Sequence, residues 1–132
     1  MSLRRTLLKR RTQFRPRARG SAEKKRLDER CRAIIFARDP ACCRCGRSEN
    51  GQWCHILSRR YHSARWRLEN SLRLCAGCHL WWHHQPLQAV RWFEQKYPDR
   101  AKVLHGITTF PQKVDLKLEH AYLNAVAQLY GL

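Results

Sequence analysis

A chain of 132 residues, of which 43% are hydrophobic and five are Trp, can bury one modest core, so two full domains are excluded. Lys and Arg number 27 against 10 Asp and Glu, and the formal charge of +17 exceeds what solubility asks for; it points to a polyanionic partner, nucleic acid first and an anionic membrane surface second. No apolar run approaches the roughly 18 residues of a membrane span, and "AIIFA" at 33–37 is too short for the apolar part of a signal peptide, so a soluble cytoplasmic protein with no membrane attachment is expected.

The first 20 residues, "MSLRRTLLKRRTQFRPRARG", hold seven Arg and one Lys with no acidic residue. Such a segment repels itself and is expected to be disordered alone. It is read as a basic arm whose Arg10, Arg11, Arg15, Arg17 and Arg19 lie along phosphates, with a solvating tail as the alternative. Residues 21–132 are expected to form the one domain, with a motif core at 40–95 and a helical extension at 96–132. Ser21 is the expected N-cap of a first helix, on which Leu27, Cys31, Ile34 and Ile35 form an apolar stripe until Asp39-Pro40 stops it. Cys31 falls on that stripe and is read as a packed thiol.

"CCRCG" at 42–46 reads as a tight turn, "GQWCHILS" at 51–58 as a strand and "RRYHSARWRLEN" at 59–70 as a basic loop. "CAGCHLWWHH" at 75–84 opens a helix, with Trp81 and Trp82 read as core. Pro86 begins or kinks the next helix, whose apolar face is expected to be Leu87, Val90 and Phe93 with Trp92. Residues 112–130 predict a closing amphipathic helix with Val114, Leu118, Tyr122, Val126 and Leu129 as its stripe. No internal repeat is present.

Seven Cys, an odd number, in a reducing compartment ask for a metal rather than a disulfide framework. Cys42-x2-Cys45-Gly46 and Cys75-x2-Cys78 are two knuckles, each able to present two thiolates to one tetrahedral ion, with the Gly easing the turn beneath the sulfurs. The 29 residues between them exceed the common ribbon spacing, so an inserted hairpin must bring the halves together. Four thiolates in such a protein suit a structural zinc, and Cys43, between two ligands, is read as a spectator. Cys75-Ala76-Gly77-Cys78-His79 also matches the attachment string of a c-type haem; that alternative needs export and usually a second axial ligand such as Met, and Met1 is the only Met. His79 and His83, at i and i+4, share one helical face and could grip one ion. Taken singly, His55 can be a half-buried strand histidine, Asn70 a turn or cap residue, and His83 and His84 solvated helix ends.

Together, the knuckle at 42–45, "WCHIL", "LENSLRLC" and "CAGCHLWWH" resemble the HNH endonucleases, the ββα-metal nucleases, over about residues 40–95. The look is closest to short phage-borne HNH and NinG-like recombination proteins. The resemblance implies an α+β fold in which a two-stranded antiparallel ribbon and a helix surround a metal, braced by helices on either side. It implies a metal-dependent nuclease that nicks or cleaves DNA, with His55 as general base, Asn70 fixing the loop and the imidazole, and His79 and His83 holding a catalytic divalent ion (magnesium, manganese, nickel or zinc). Other phage DNA-processing proteins are further expected partners. The residue before the base is commonly Asp or His in that family and a metal ligand, whereas here it is Cys54; if Cys54 ligates, its thiolate favours softer metals. Arg59, Arg60, Arg65 and Arg67 surround the motif and are expected at phosphates. The alternative is a non-catalytic zinc-knuckle nucleic-acid-binding protein, which has no use for His55, Asn70 and His79 together.

Overall fold

The computed structural model describes residues 19–132. Arg10, Arg11, Arg15 and Arg17 of the expected basic arm lie outside the described residues, as does the side chain of Arg19. The described chain is α+β: helix α1 (Arg19–Arg38), strand β1 (Gly51–His55), a 3-10 turn (Leu68–Asn70), strand β2 (Ser71–Cys75), and helices α2 (Ala76–His84), α3 (Pro86–Lys96), α4 (Pro98–Thr109) and α5 (Leu116–Leu129). Among these residues no helix is long and apolar enough to cross a membrane.

The two strands pair antiparallel, with Gly51 opposite Cys75 and His55 opposite Ser71. The alternation of a strand then turns Cys54, Leu72 and Leu74 to one face and Trp53, His55 and Arg73 to the other. A core lies on each side. The first packs Cys54, Leu72 and Leu74 with Trp82 of α2, Ala89 and Phe93 of α3, and Ala101 and Leu104 of α4. The second packs Leu27, Cys31, Ile34 and Ile35 of α1 with Trp66, Leu123 and Ala127, and Trp53 leans on it from the strand. Cys31 is a packed thiol as expected, fully enclosed, with burial pushing it up to about 12.

Several expected boundaries and faces are corrected. The chain is already helical at Arg19, so Ser21 is an interior residue of α1 and not its N-cap. The strand expected over 51–58 ends at His55, because the side chain and carbonyl of Asn70 take the next two amides out of the ladder. The helical extension contains α4, which the chain starts one residue after α3 by placing Pro98 at the first helical position, as Pro86 does for α3. On α3 the buried residues are Ala89 and Phe93, while Leu87 is 82% exposed and Val90 is exposed too, since the helix meets α4 along its small Ala side. On α5, Leu123 and Ala127 are buried and Leu116 and Val126 pack beside them; Leu118, Tyr122 and Leu129 face outward. Asp115 sets that phase by accepting hydrogen bonds from the amides of Lys117 (2.9 Å) and Leu118 (3.4 Å), which starts the helix at Leu116.

The corrected face of α5 is testable by stability. Leu123→Ala is expected to cost about 2–5 kcal/mol in denaturant unfolding, whereas Leu129→Ala, at the position the sequence alone would bury, should stay within about 0.5 kcal/mol. Equal losses in the two variants would reverse the assignment of the buried face.

Candidate metal centre and catalytic cleft

Four thiols meet where the knuckle loop lies against the corner between β2 and α2. The sulfurs of Cys42, Cys45, Cys75 and Cys78 all lie within 4.8 Å of one another, and Cys45 Sγ is 3.6 Å from Cys75 Sγ. A tetrahedral ion with metal–sulfur bonds of about 2.3 Å puts its sulfurs roughly 3.8 Å apart, so the group fits one metal ion, and its all-sulfur donor set suits zinc. Local backbone makes the arrangement. Gly46 takes a φ of +77° to turn the chain beneath Cys42, and its amide donates to the Cys42 carbonyl at 2.9 Å. Cys75 Sγ accepts from the amide of Cys78 at 3.4 Å, capping α2. Burial pushes the Cys42 thiol up, but the amides of Cys45, Cys75 and Arg44 outweigh it and bring it down to about 6. The Cys78 amide likewise lowers Cys75, while burial pushes Cys78 up to about 12. Two of the four thiols are thus lowered before any cation adds its own pull.

The knuckle is held to the ribbon by Arg73. Its guanidinium donates to the carbonyls of Pro40 (2.9 Å) and Ser48 (2.7 Å), while its own carbonyl accepts from the Cys43 amide at 2.9 Å. A Cβ at position 51 would stand 2.3 Å from Arg73 Nε, so a larger residue there must push this guanidinium off the Pro40 and Ser48 carbonyls. Cys43 is half-buried and points away from the cluster; Lys96 donates to its carbonyl. Arg44 lies over the ring of Trp81 at 3.7 Å and reaches Cys78 Sγ at 3.6 Å. Trp82 is core as expected; Trp81 packs edge-on against Trp92 and carries Arg44 on its face.

A cleft of about 530 Å³ opens beside the end of β1, lined by Trp53, His55, Ser58, Arg59, Trp82, His79 and His83. Three of the expected site histidines therefore share one cavity. His79 and His83 stand on the same side of α2 with their Nε2 atoms 3.1 Å apart. Gln52 Oε1 accepts from His79 Nδ1 at 2.6 Å, which leaves the Nε2 lone pair of neutral His79 turned to its partner, the outer support usual behind a metal-binding imidazole. Burial, then the neighbouring His83, hold His79 below the ordinary imidazole range, which favours its neutral form. His55 is packed on Trp53 with ring centroids 4.2 Å apart. Burial first and the charge of Arg59 second bring its pKa down to about 4, and its buried Nε2 has no hydrogen-bond partner. It is thus a neutral imidazole with one free nitrogen.

Asn70 is fully buried and grips the chain just after His55: its Oδ1 accepts from the Leu57 amide (2.7 Å), its Nδ2 donates to the Leu57 carbonyl (3.1 Å) and its own carbonyl accepts from the Ile56 amide (3.0 Å). Cys54 does not join His79 and His83. It points to the opposite face of β1 from His55, is fully enclosed between Leu72, Leu74 and Trp82, and does not line the cleft; burial pushes its thiol up to about 12. The expectation that it ligates the catalytic ion is corrected accordingly: a strand cysteine here has become core. Arg65 is corrected too. Its guanidinium makes a two-pronged pair with Asp28 (3.0 and 2.6 Å) at 16% side-chain exposure, and Asp28 also accepts from Trp66 Nε1, so this arginine serves the second core and not a phosphate. Arg67 is half-spent on Glu69 at 3.6 Å; Arg59 and Arg60 are exposed, with Arg59 on the cleft wall. Gln52, Trp53, Arg44 and Arg73 were not legible as site residues, although strand alternation alone places Gln52 on the same face as Cys54 and Trp53 on the same face as His55.

Comparison of the chain with protein-family models, with curated proteins and with solved structures gives no match.

The thiol cluster predicts that purified protein carries one zinc per chain and that Cys45→Ser or Cys78→Ser loses it together with much of the first core, because the site joins the knuckle to the corner between β2 and α2. Elemental analysis paired with circular dichroism checks this; a zinc-free chain with the native spectrum and a cooperative melt would refute it.

Proposed function

We propose that this chain is a metal-dependent endonuclease of the HNH type that nicks or cleaves DNA, with the four cysteines holding a structural zinc. The observation that carries the reading is the cleft that a neutral His55 lines together with His79 and His83, whose Nε2 atoms are paired. A binding module has no need of that convergence. The order of ribbon, then helix with His at i and i+4, is what the resemblance to ββα-metal nucleases calls for, and the charge of +17 suits a phosphodiester polymer. The likeness to short phage-borne proteins makes phage DNA processing the proposed setting.

The imidazole of His55 takes a proton from a water molecule, and the resulting hydroxide oxygen bonds to phosphorus as the bond from phosphorus to the 3′ oxygen breaks; the leaving oxygen is protonated from solvent. His79 and His83 would hold a divalent ion that, when bound, supplies positive charge at the phosphoryl and leaving oxygens. Asn70 keeps the chain after His55 in place, so the imidazole meets the water without reorganising. Arg59, on the cleft wall, offers its guanidinium to a phosphate, and its charge adds to burial in keeping His55 unprotonated. Two imidazoles without a thiolate suit manganese, nickel or zinc and place no soft sulfur against magnesium.

A plasmid-nicking assay across magnesium, manganese, nickel and zinc tests the reading. His55→Ala is expected to lose cleavage by about two to four orders of magnitude with zinc content and DNA affinity near wild type. Cleavage unchanged in that variant removes His55 as base, and wild-type protein that binds DNA but cuts with none of the metals leaves a zinc-knuckle binder. In the same assay Cys54→Ala should shift no metal preference, its cost appearing in thermal stability alone.

A further inference from the structure

The two carbonyls on either side of Asn70 are held by an arginine from outside the motif. Arg100, in the first turns of α4, donates from Nε and Nη2 to the Glu69 carbonyl at 3.2 and 3.1 Å, and from Nη2 to the Ser71 carbonyl at 2.5 Å. Arg38, at the end of α1, reaches the Leu68 carbonyl at 2.8 Å and shares the Ser71 carbonyl at 2.7 Å, with Asp39 neutralising it. Arg100 has no carboxylate partner among the described residues. Burial, and then the charge of Arg38, pull it below its ordinary value in this half-buried place, with Asp39 acting the other way. Its guanidinium carbon lies over the rings of Tyr97 and Phe93, 4.5 and 5.4 Å from their centroids, which aim the fork.

Both carbonyls it holds bear on His55. Ser71 is the cross-strand partner of His55, and Glu69 precedes the asparagine that grips Ile56 and Leu57. A guanidinium bridging the two therefore fixes the backbone on both sides of the histidine, and a planar fork does this where a single ammonium cannot span both oxygens. We propose that Arg100 is a positioning residue for His55, acting through Asn70 and Ser71, so that the helical extension is part of the catalytic apparatus. This rests on the nuclease reading above for its effect on rate; the tie itself does not.

The test uses Arg100→Met and Arg100→Lys in the full chain, read by nicking kinetics and by amide hydrogen exchange. Arg100→Met is expected to lower kcat by about 10- to 100-fold with KM and zinc content near wild type, since small misplacement of a catalytic group costs rate more than binding. Exchange at the Ile56 and Leu57 amides should quicken by at least about tenfold, while the Leu123 amide in the second core keeps its wild-type rate. Arg100→Lys should restore part of the kcat and stand in for the Met variant should the latter fail to fold. Wild-type kcat in an Arg100→Met enzyme, or wild-type exchange at Ile56 and Leu57, overturns the proposal. Wild-type protein that does not nick sinks the nuclease reading alone, and the exchange at Ile56 and Leu57 then still decides whether Arg100 holds this backbone.

Discussion

Cys75 holds three structural offices at once: it is the last residue of β2, the N-cap of α2 and one of the four clustered thiols. The direction in which α2 leaves the sheet is therefore set by the same sulfur that joins the knuckle to the ribbon. His79 and His83 follow on α2, one and two turns beyond that corner, so their reach into the cleft depends on it. Arg73, tying the knuckle to the ribbon from the other face, leaves the loop little freedom to drift, and Gly51 is the vacancy that lets it lie flat.

The positive charge divides into two uses. Arg38, Arg65, Arg73 and Arg100 are spent within the fold, each on backbone carbonyls or on Asp28 and Asp39. Arg59 and Arg60 remain on the surface near the cleft. A chain with so many irregular connections has many carbonyls to satisfy, and a guanidinium can serve two or three at once. Part of the basic excess is thus structural, a share that net charge alone does not separate from the share open to a polyanion.

What could be read from residues alone follows the range of the interaction. Knuckle spacing and the i, i+4 histidines are local geometry, and the four cysteines and the His79–His83 pair emerge as expected. The helix over 19–38 was legible from its stripe, though not its start. Within the helical extension the bounds of α4 did not stand out, although Pro98 at its first helical position is a start signal. The faces of α3 and α5 were misread because each carries apolar residues on more than one side, and only the neighbouring helix selects among them. β2 is five residues between a 3-10 turn and a helix, too short for its own period to show. The pairing of Arg65 with Asp28, the cleft around His55 and the Arg100 tie all join distant positions, for which no local pattern exists.

The two cores also differ in how the chain reaches them. The first is built from elements that follow one another from the knuckle to α4, so its contacts close through short loops, with the metal site gathering the longest. The second needs α1 to meet α5, the first and last of the described elements. Closing so long a loop is slow compared with local pairing. During synthesis the ribbon and its metal site can assemble while the apolar stripe of α1 waits, uncovered, for α5 to leave the ribosome. In that interval Leu27, Ile34 and Ile35 are open to other chains, and the same lysines and arginines that crowd α1 supply the repulsion that keeps nascent copies apart.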